Sequence, residues 1–174
     1  MRQIYYSDLR DYDDLDNMYL RVACRAIIIK DNKLAMIKGK KFNELKFPGG
    51  GLEQDETHLE CLMREVVEET GLIIDVLTQK SFGLVTEIRK STIEVDTIFQ
   101  MNSYYYTVSL DDTKLGKTNL DPYEIEDGYE LIWVDIHDAI TTNKLALSQS
   151  IVDATWIKRE LKVMELLKVE ALLY

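Results

Sequence analysis

The sequence predicts an α/β (α+β) fold organised around a mixed β-sheet, and three observations carry that expectation. Runs rich in β-branched and aromatic residues recur between positions 22 and 110 and return at 129–134. Between them, positions 55–70 switch to a helical period, and a second helical stripe of apolar residues closes the chain.

Residues 1–21 carry Asp8, Asp11, Asp13, Asp14 and Asp16 among Tyr5, Tyr6, Tyr12 and Tyr19, with little apolar periodicity, and read as an edge segment or a partner-facing arm. Val22 to Ile29 is an apolar strand that turns at Asp31-Asn32 and continues as Leu34 to Ile37, a hairpin signal. Phe47-Pro48-Gly49-Gly50-Gly51 is a non-regular turn, because glycine tolerates positive φ and close backbone approach. From Asp55 to Thr70, Leu59, Leu62, Met63, Val66 and Val67 share one helical face, and Gly71 supplies the stop. Leu72 to Leu77, Phe82 to Val85 and Val95 to Leu110 read as further strands. Residues 111–128 read as a loop, Tyr129 to Val134 as a last strand, and Asp135 as the cap of a short helix through Ile140. Ser150 to Asp153 fits a capping box opening a C-terminal helix to about Leu173, within residues 148–173, with Ile157, Leu161, Met164 and Leu167 as its stripe.

A chain of 174 residues, 46% hydrophobic, reads as one domain with enough apolar material for a sizeable core. Its 21 Lys and Arg against 31 Asp and Glu leave a net charge of −10, so no global positive field draws in a nucleic acid or an anionic membrane. A polyphosphate must therefore be held locally, by a bound cation or a basic patch. Cys24 and Cys61 belong to no CxxC or Cys/His cluster and read as reduced, buried thiols of a cytoplasmic protein. No leader pattern opens the chain, and no apolar run approaches the roughly 20 residues of a membrane helix.

On the helix after the glycine turn, Glu65, Glu68 and Glu69 stand at i, i+3 and i+4, so three carboxylates share one face away from the apolar stripe. Solvent can screen such a cluster, or hard cations such as Mg²⁺, Mn²⁺ or Ca²⁺ can neutralise it. Its surroundings decide between these. Residues 50–72 read GGLEQDETHLECLMREVVEETGL, which resembles the Nudix box, G-x5-E-x7-R-E-U-x-E-E-x-G-U with U aliphatic. Gly50, Glu56, Arg64, Glu65, Val66, Glu68, Glu69, Gly71 and Leu72 meet every specified position. A chance match to the non-aliphatic positions is on the order of 10⁻⁸ to 10⁻⁹ per start point, which removes coincidence as an account.

The resemblance implies a Nudix-type α/β/α sandwich around a mixed sheet, and hydrolysis of a nucleoside diphosphate linked to a further group X with Mg²⁺ or Mn²⁺. It implies that Glu65, Glu68 and Glu69 hold the metal, with the Gly49 carbonyl a further ligand, that Arg64 orients the carboxylates, and that Glu56 braces the loop or reaches the metal shell. A general base lies in the box or among Glu124, Glu126, Asp127 and Glu130, of which Glu126 and Asp127 are favoured. Lys30, Lys33, Lys38, Lys40, Lys41 and Lys46 form a basic island; Lys38 and Lys46, with Arg25 on the first strand, are candidate substrate contacts. Tyr104-Tyr105-Tyr106 must alternate across a strand, as core packing or, for one ring, as a base-stacking platform. His58 and His137 read as surface or helix-end residues, and Cys61 as a structural thiol. The expected partner is a small nucleotide derivative, with neither nucleic acid nor membrane. The N-terminal segment and C-terminal helix each suit a homodimer interface or packing on their own domain. The alternative function is a nucleotide or nucleotide-sugar sensing module that binds without turnover.

Overall fold

The computed structural model describes residues 1–12, 14–150 and 154–170. Its elements are β1 (Gln3–Asp8), β2 (Asn17–Lys30), β3 (Lys33–Lys38), β4 (Leu45–Lys46), α1 (His58–Thr70), β5 (Ile74–Lys90), β6 (Thr97–Leu110), α2 (Pro122–Asp127), β7 (Glu130–Val134), α3 (Ile136–Gln149) and α4 (Thr155–Val169). The strands run in the order β1-β5-β6-β2-β3-β4, and β7 joins by pairing with β3. The sheet is mixed: β1 lies parallel to β5 and β2 parallel to β6, while β5 with β6 and β3 with its neighbours are antiparallel.

β2 alternates its side chains between two cores. Cys24, Ala26 and Ile28 face Cys61, Leu62 and Val66 of α1. Ile27 faces the other way, into a larger core closed by Ile136 and Ala139 of α3 and by Val163, Met164 and Leu167 of α4. Helices thus cover both faces of the sheet. Beyond Val22, the side of β2 not paired with β6 is taken by the glycine turn: Cys24 and Ala26 donate their N–H groups to the carbonyls of Gly50 and Pro48, and Leu52 donates to Val22. Gly49 sits at φ +137°, and a Cβ there would run into the Cys24 carbonyl, so only glycine lets the turn lie against the strand.

Several boundaries differ from the sequence reading. Residues 3–8 form a true edge strand within the acidic N-terminal segment, and β2 begins at Asn17, because β6 offers parallel partners from Thr97 onward. The two strands expected at 72–77 and 82–85 are one strand, β5, whose irregularities between Asp75 and Lys80 and between Ser81 and Gly83 carry it past the break. Residues 111–128 are not wholly loop: Asp121 starts the short helix α2, with its N–H capped by the Glu124 carboxylate at 2.9 Å. α3 continues well past Ile140, to Gln149. The C-terminal helix opens at Thr155 behind Ala154, which offers no side-chain cap; the expected capping box at 150–153 falls largely outside the described residues.

Candidate active site

α1 starts where the sequence allows it to. Thr57 accepts from the Glu60 N–H while the Glu60 carboxylate accepts from the Thr57 N–H at 2.8 Å, and Gly71 at φ +70° ends the helix. Arg64 is the hub of the turn and helix. Its Nε and Nη2 grip Glu56 at 2.8 and 2.9 Å, its Nη1 reaches Glu65 at 2.7 Å and Glu68 at 3.3 Å, and Nη2 also donates to the Gly51 carbonyl at 2.9 Å. The fork of a guanidinium is what permits five such bonds in one plane. Glu56 is held below the ordinary carboxylate range by its hydrogen bond from Arg64.

Glu69 lies deeper, 6% exposed, and accepts the Gly49 N–H at 2.7 Å. Burial pushes its carboxyl up to about 7, against the pull of Lys46 and that amide. Burial also raises Glu65, and a Cβ on Gly50 would come within 2.5 Å of both Glu65 carboxylate oxygens. Among the described residues no three His, Cys, Asp or Glu side chains are gathered tightly enough to hold an ion. The donor set nevertheless fits a hard cation in chemistry: it is all-oxygen and partly desolvated, and its three carboxylates share a single arginine and one lysine.

These groups line a cleft of about 770 Å³ between the glycine turn, α1, α2 and α4. Of the candidate bases, Glu124 is turned into the cleft and 5% exposed, bonded by the Tyr123 hydroxyl at 3.0 Å. Asp127 lies at the cleft wall, whereas Glu126 and Glu130 are exposed and outside it. Lys46 is in the cleft, its Nζ 3.8 Å from the centre of the Tyr129 ring, and burial lowers its pKa. Lys38, at the end of β3 between Leu45 and Glu130, does not line it. Arg25 does, but its Nη1 donates to the Phe47 and Gly49 carbonyls at 3.3 and 3.0 Å, so its guanidinium braces the turn. The other lysines of the island lie outside the cleft, Lys30 paired with Asp112 at 2.8 Å and Lys41 4.0 Å from Asp127.

Tyr105 is wholly buried, its hydroxyl donating to Glu160 at 3.2 Å. Tyr104 and Tyr106 take the opposite face and pack on His58, whose Nδ1 lies 2.6 Å from the Tyr106 hydroxyl. The tyrosine run is thus core and not part of the cleft. Cys24 and Cys61 are free and buried.

Sequence reasoning missed the support behind the turn. Glu160 of α4, fully buried, accepts from Arg159 at 2.9 and 3.0 Å and from the Phe47 N–H at 3.3 Å, and lies 3.6 Å from Arg25; Arg159 also pairs with Glu87 of β5 at 2.7 Å. The available signal was an acid on an apolar stripe, since 160 lies three after Ile157 and four before Met164. The far end of the cleft was missed as well: Tyr19 and Phe99 with centroids 6.0 Å apart, Arg89 4.6 Å over Phe99, and Arg21 beside Gly51.

A model of the NUDIX domain matches residues 19–155. Among characterised proteins, the chain is 46% identical over 72 residues to an ADP-ribose pyrophosphatase of Methanocaldococcus jannaschii, covering 38% of this chain and 40% of that protein. It is 32% identical over 124 residues to the mitochondrial Nudix hydrolase 13 of Arabidopsis thaliana, covering 69% of this chain and 58% of that one. The matches therefore span about half the length of these relatives. In fold the chain is similar to a MutT NUDIX hydrolase from Burkholderia pseudomallei (21% identity, 75% of this chain and 98% of that one, TM-score 0.53). It is also similar to a MutT protein from Bacillus halodurans (16% identity, 70% and 72%, TM-score 0.51).

Proposed function

The chain belongs to the Nudix family, and on that premise we propose that it is a Nudix-type pyrophosphohydrolase. It cleaves, with Mg²⁺ or Mn²⁺, the phosphoanhydride of a nucleoside diphosphate linked to another group, as a single domain acting in the cytoplasm. The observation that carries this reading is the Arg64 hub, which ties Glu56, Glu65, Glu68 and the Gly51 carbonyl into one unit beside the buried Glu69. A merely acidic surface helix has no use for that arrangement.

Glu65, Glu68 and Glu69, with the Gly49 carbonyl, are the groups that would hold the metal. When bound, a divalent ion neutralises the diphosphate, polarises a phosphoryl oxygen and acidifies water. Arg64 fixes the carboxylates so that little reorganisation is needed. Lys46 adds positive charge to the cleft, and Arg25 holds the turn from behind. Glu124, buried and facing the cleft, is the proton acceptor we assign outside the box. Because one relative is an ADP-ribose pyrophosphatase, ADP-ribose is the first compound to try.

The test is a mass-spectrometric screen of nucleoside triphosphates and diphosphate-linked nucleotides with each metal, with Glu68→Gln in parallel. A product made by the wild type and lost in the variant supports hydrolysis. Saturable binding without product would replace it with the sensing module.

A further inference from the structure

Glu44 lies in the segment between β3 and β4, in the same cleft as the box carboxylates. It is 4% exposed, and its Oε2 is buried without a hydrogen-bond donor. Among the described residues no Lys, Arg or His nitrogen lies within 4.0 Å of its carboxylate. The segment carrying it is fixed on every side. The Gly39 N–H closes it on the Glu44 carbonyl at 3.0 Å, and the Lys40 N–H docks it on the Asp127 carbonyl at 2.9 Å. Asn143 of α3 takes both the N–H and the carbonyl of Leu45, at 2.8 and 2.9 Å. Phe42 meets Trp156 of α4 edge-on at 5.4 Å. The carboxylate itself fills the space that Gly39 leaves, since a Cβ on Gly39 would come within 2.9 Å of it.

An acid held rigidly in a cleft with an acceptor unfilled is costly to the fold and suits a ligand that brings donors. The ligand's own phosphates are anionic, so a carboxylate here repels a further phosphate and selects an uncharged group rich in hydroxyls. Phe42, Tyr129 and Trp156, which line the cleft with it, supply apolar surface for the carbon face of such a group. Resting on the hydrolase reading above, we infer that Glu44 is a specificity-determining residue that accepts hydrogen bonds from the hydroxyls of a sugar. The substrate class is accordingly a nucleoside diphosphate linked to a sugar, in preference to a nucleoside triphosphate.

The experiment measures kcat and KM for ADP-ribose and for ATP with wild type, Glu44→Gln and Glu44→Ala, together with the melting temperature of each. Wild type should favour ADP-ribose. Glu44→Ala should lower kcat/KM for ADP-ribose relative to ATP by roughly 10- to 100-fold, through KM more than kcat, with Glu44→Gln falling between because its amide oxygen still accepts. Glu44→Ala loses the unfilled acceptor together with its packing beside Gly39, and Glu44→Gln exchanges one carboxylate oxygen for an amide N–H, so both should melt within about 4 °C of wild type. An unchanged ratio, or an equal loss on both compounds accompanied by earlier melting, would overturn the assignment and leave the hydrolase reading standing. Hydrolysis of neither compound, nor of any other in the screen, by wild type would overturn the hydrolase reading itself, and the role of Glu44 with it.

Discussion

Alanine placed at Gly49 or at the adjacent Gly50 should produce two different failures. Gly49 holds φ +137°, and its Cβ would be driven into the Cys24 carbonyl and Arg25 Cα of β2, both backbone atoms of a central strand that cannot retreat. A strained φ of this kind costs about 1–3 kcal/mol before the collision is counted. At roughly 2–4 °C per kcal/mol for a chain of this size, Gly49→Ala should melt at least about 5 °C below wild type. Gly50 has no positive φ, and the three atoms nearest its Cβ would all belong to the Glu65 carboxylate, at 2.5–2.6 Å. That carboxylate sits at the end of a flexible side chain and can swing away, giving up its 2.7 Å bond from Arg64. Gly50→Ala should therefore lose at most about 1.5–3 kcal/mol, the worth of that one charged hydrogen bond, and melt later than Gly49→Ala, which carries both the strained φ and the backbone collision. A displacement of order 1 Å in a ligand-bearing group costs about 100-fold in rate, so its kcat should fall by about that factor. Scanning fluorimetry and steady-state kinetics on the best substrate of the screen read both quantities. A Gly50→Ala enzyme with full kcat would refute the placement of Glu65, and one that melts as early as Gly49→Ala would refute the separation of backbone from side-chain effects.

Thr57→Ala removes the side-chain half of the α1 capping box and should cost about 1 kcal/mol, seen as a melting point 2–4 °C lower. Glu160→Gln leaves Arg25 and Arg159 short of a buried counter-charge, so a loss of about 3 kcal/mol or more is expected in urea unfolding. Glu124→Gln should lower kcat by at least about 100-fold while Glu126→Gln, on the exposed side of α2, leaves it within about twofold; equal effects would remove Glu124 as the base. Glu69 titrates near 7 when folded against an ordinary 4.5. The folded state then holds its proton more tightly than the unfolded one, so metal-free stability should fall as pH rises from about 4.5 to 7, by up to about 3 kcal/mol. Glu69→Gln should flatten that slope and raise the metal-free melting point at pH 8, and a variant less stable than wild type at pH 8 would contradict the assignment.

What was legible in the sequence was what local spacing decides. The glycine stop and the 31–32 hairpin depend on residues within a few turns of each other and are found as expected, and the helix expected over 55–70 is found from His58 to Thr70, behind its Thr57 cap. The expected layering of helices on both faces also stands, because β2 alternates its side chains cleanly. What the sequence withheld was contact between distant segments. Lys38 and Lys46 look alike in a lysine-rich stretch, yet only Lys46, on the short strand leading into the glycine turn, reaches the cleft. Glu126 and Glu124 differ by two positions; on a helix that is a rotation of about 200°, which sends one outward and the other inward. Nothing local to residue 160 says that its carboxylate will meet Arg25 across 135 positions of chain.

The buried acids differ in how far the chain itself compensates them. Glu160 behind the glycine turn and Glu87 at the cleft wall each have arginine within hydrogen-bond reach, Glu160 also takes a tyrosine hydroxyl and a backbone N–H, and Glu124 in the cleft has a donor at each oxygen. Those charges are compensated within the chain, as a buried pair must be if it is not to destabilise the fold. Also facing the cleft, Glu44 keeps an oxygen without a donor, and burial makes Glu69 harder to ionise, whereas Glu65 has Arg64 at 2.7 Å. Fold stability alone would favour neutral side chains at these positions, since burying a charge that lacks full compensation is unfavourable. An acidic chain that keeps Glu44 and Glu69 around one opening leaves part of their compensation to what enters it: positive charge at Glu69, hydroxyl donors at Glu44. Binding should therefore stabilise this protein by more than its contact area alone would give. Metal and substrate added together should raise the melting point by more than the sum of their separate effects, because each makes the cleft more hospitable to the other.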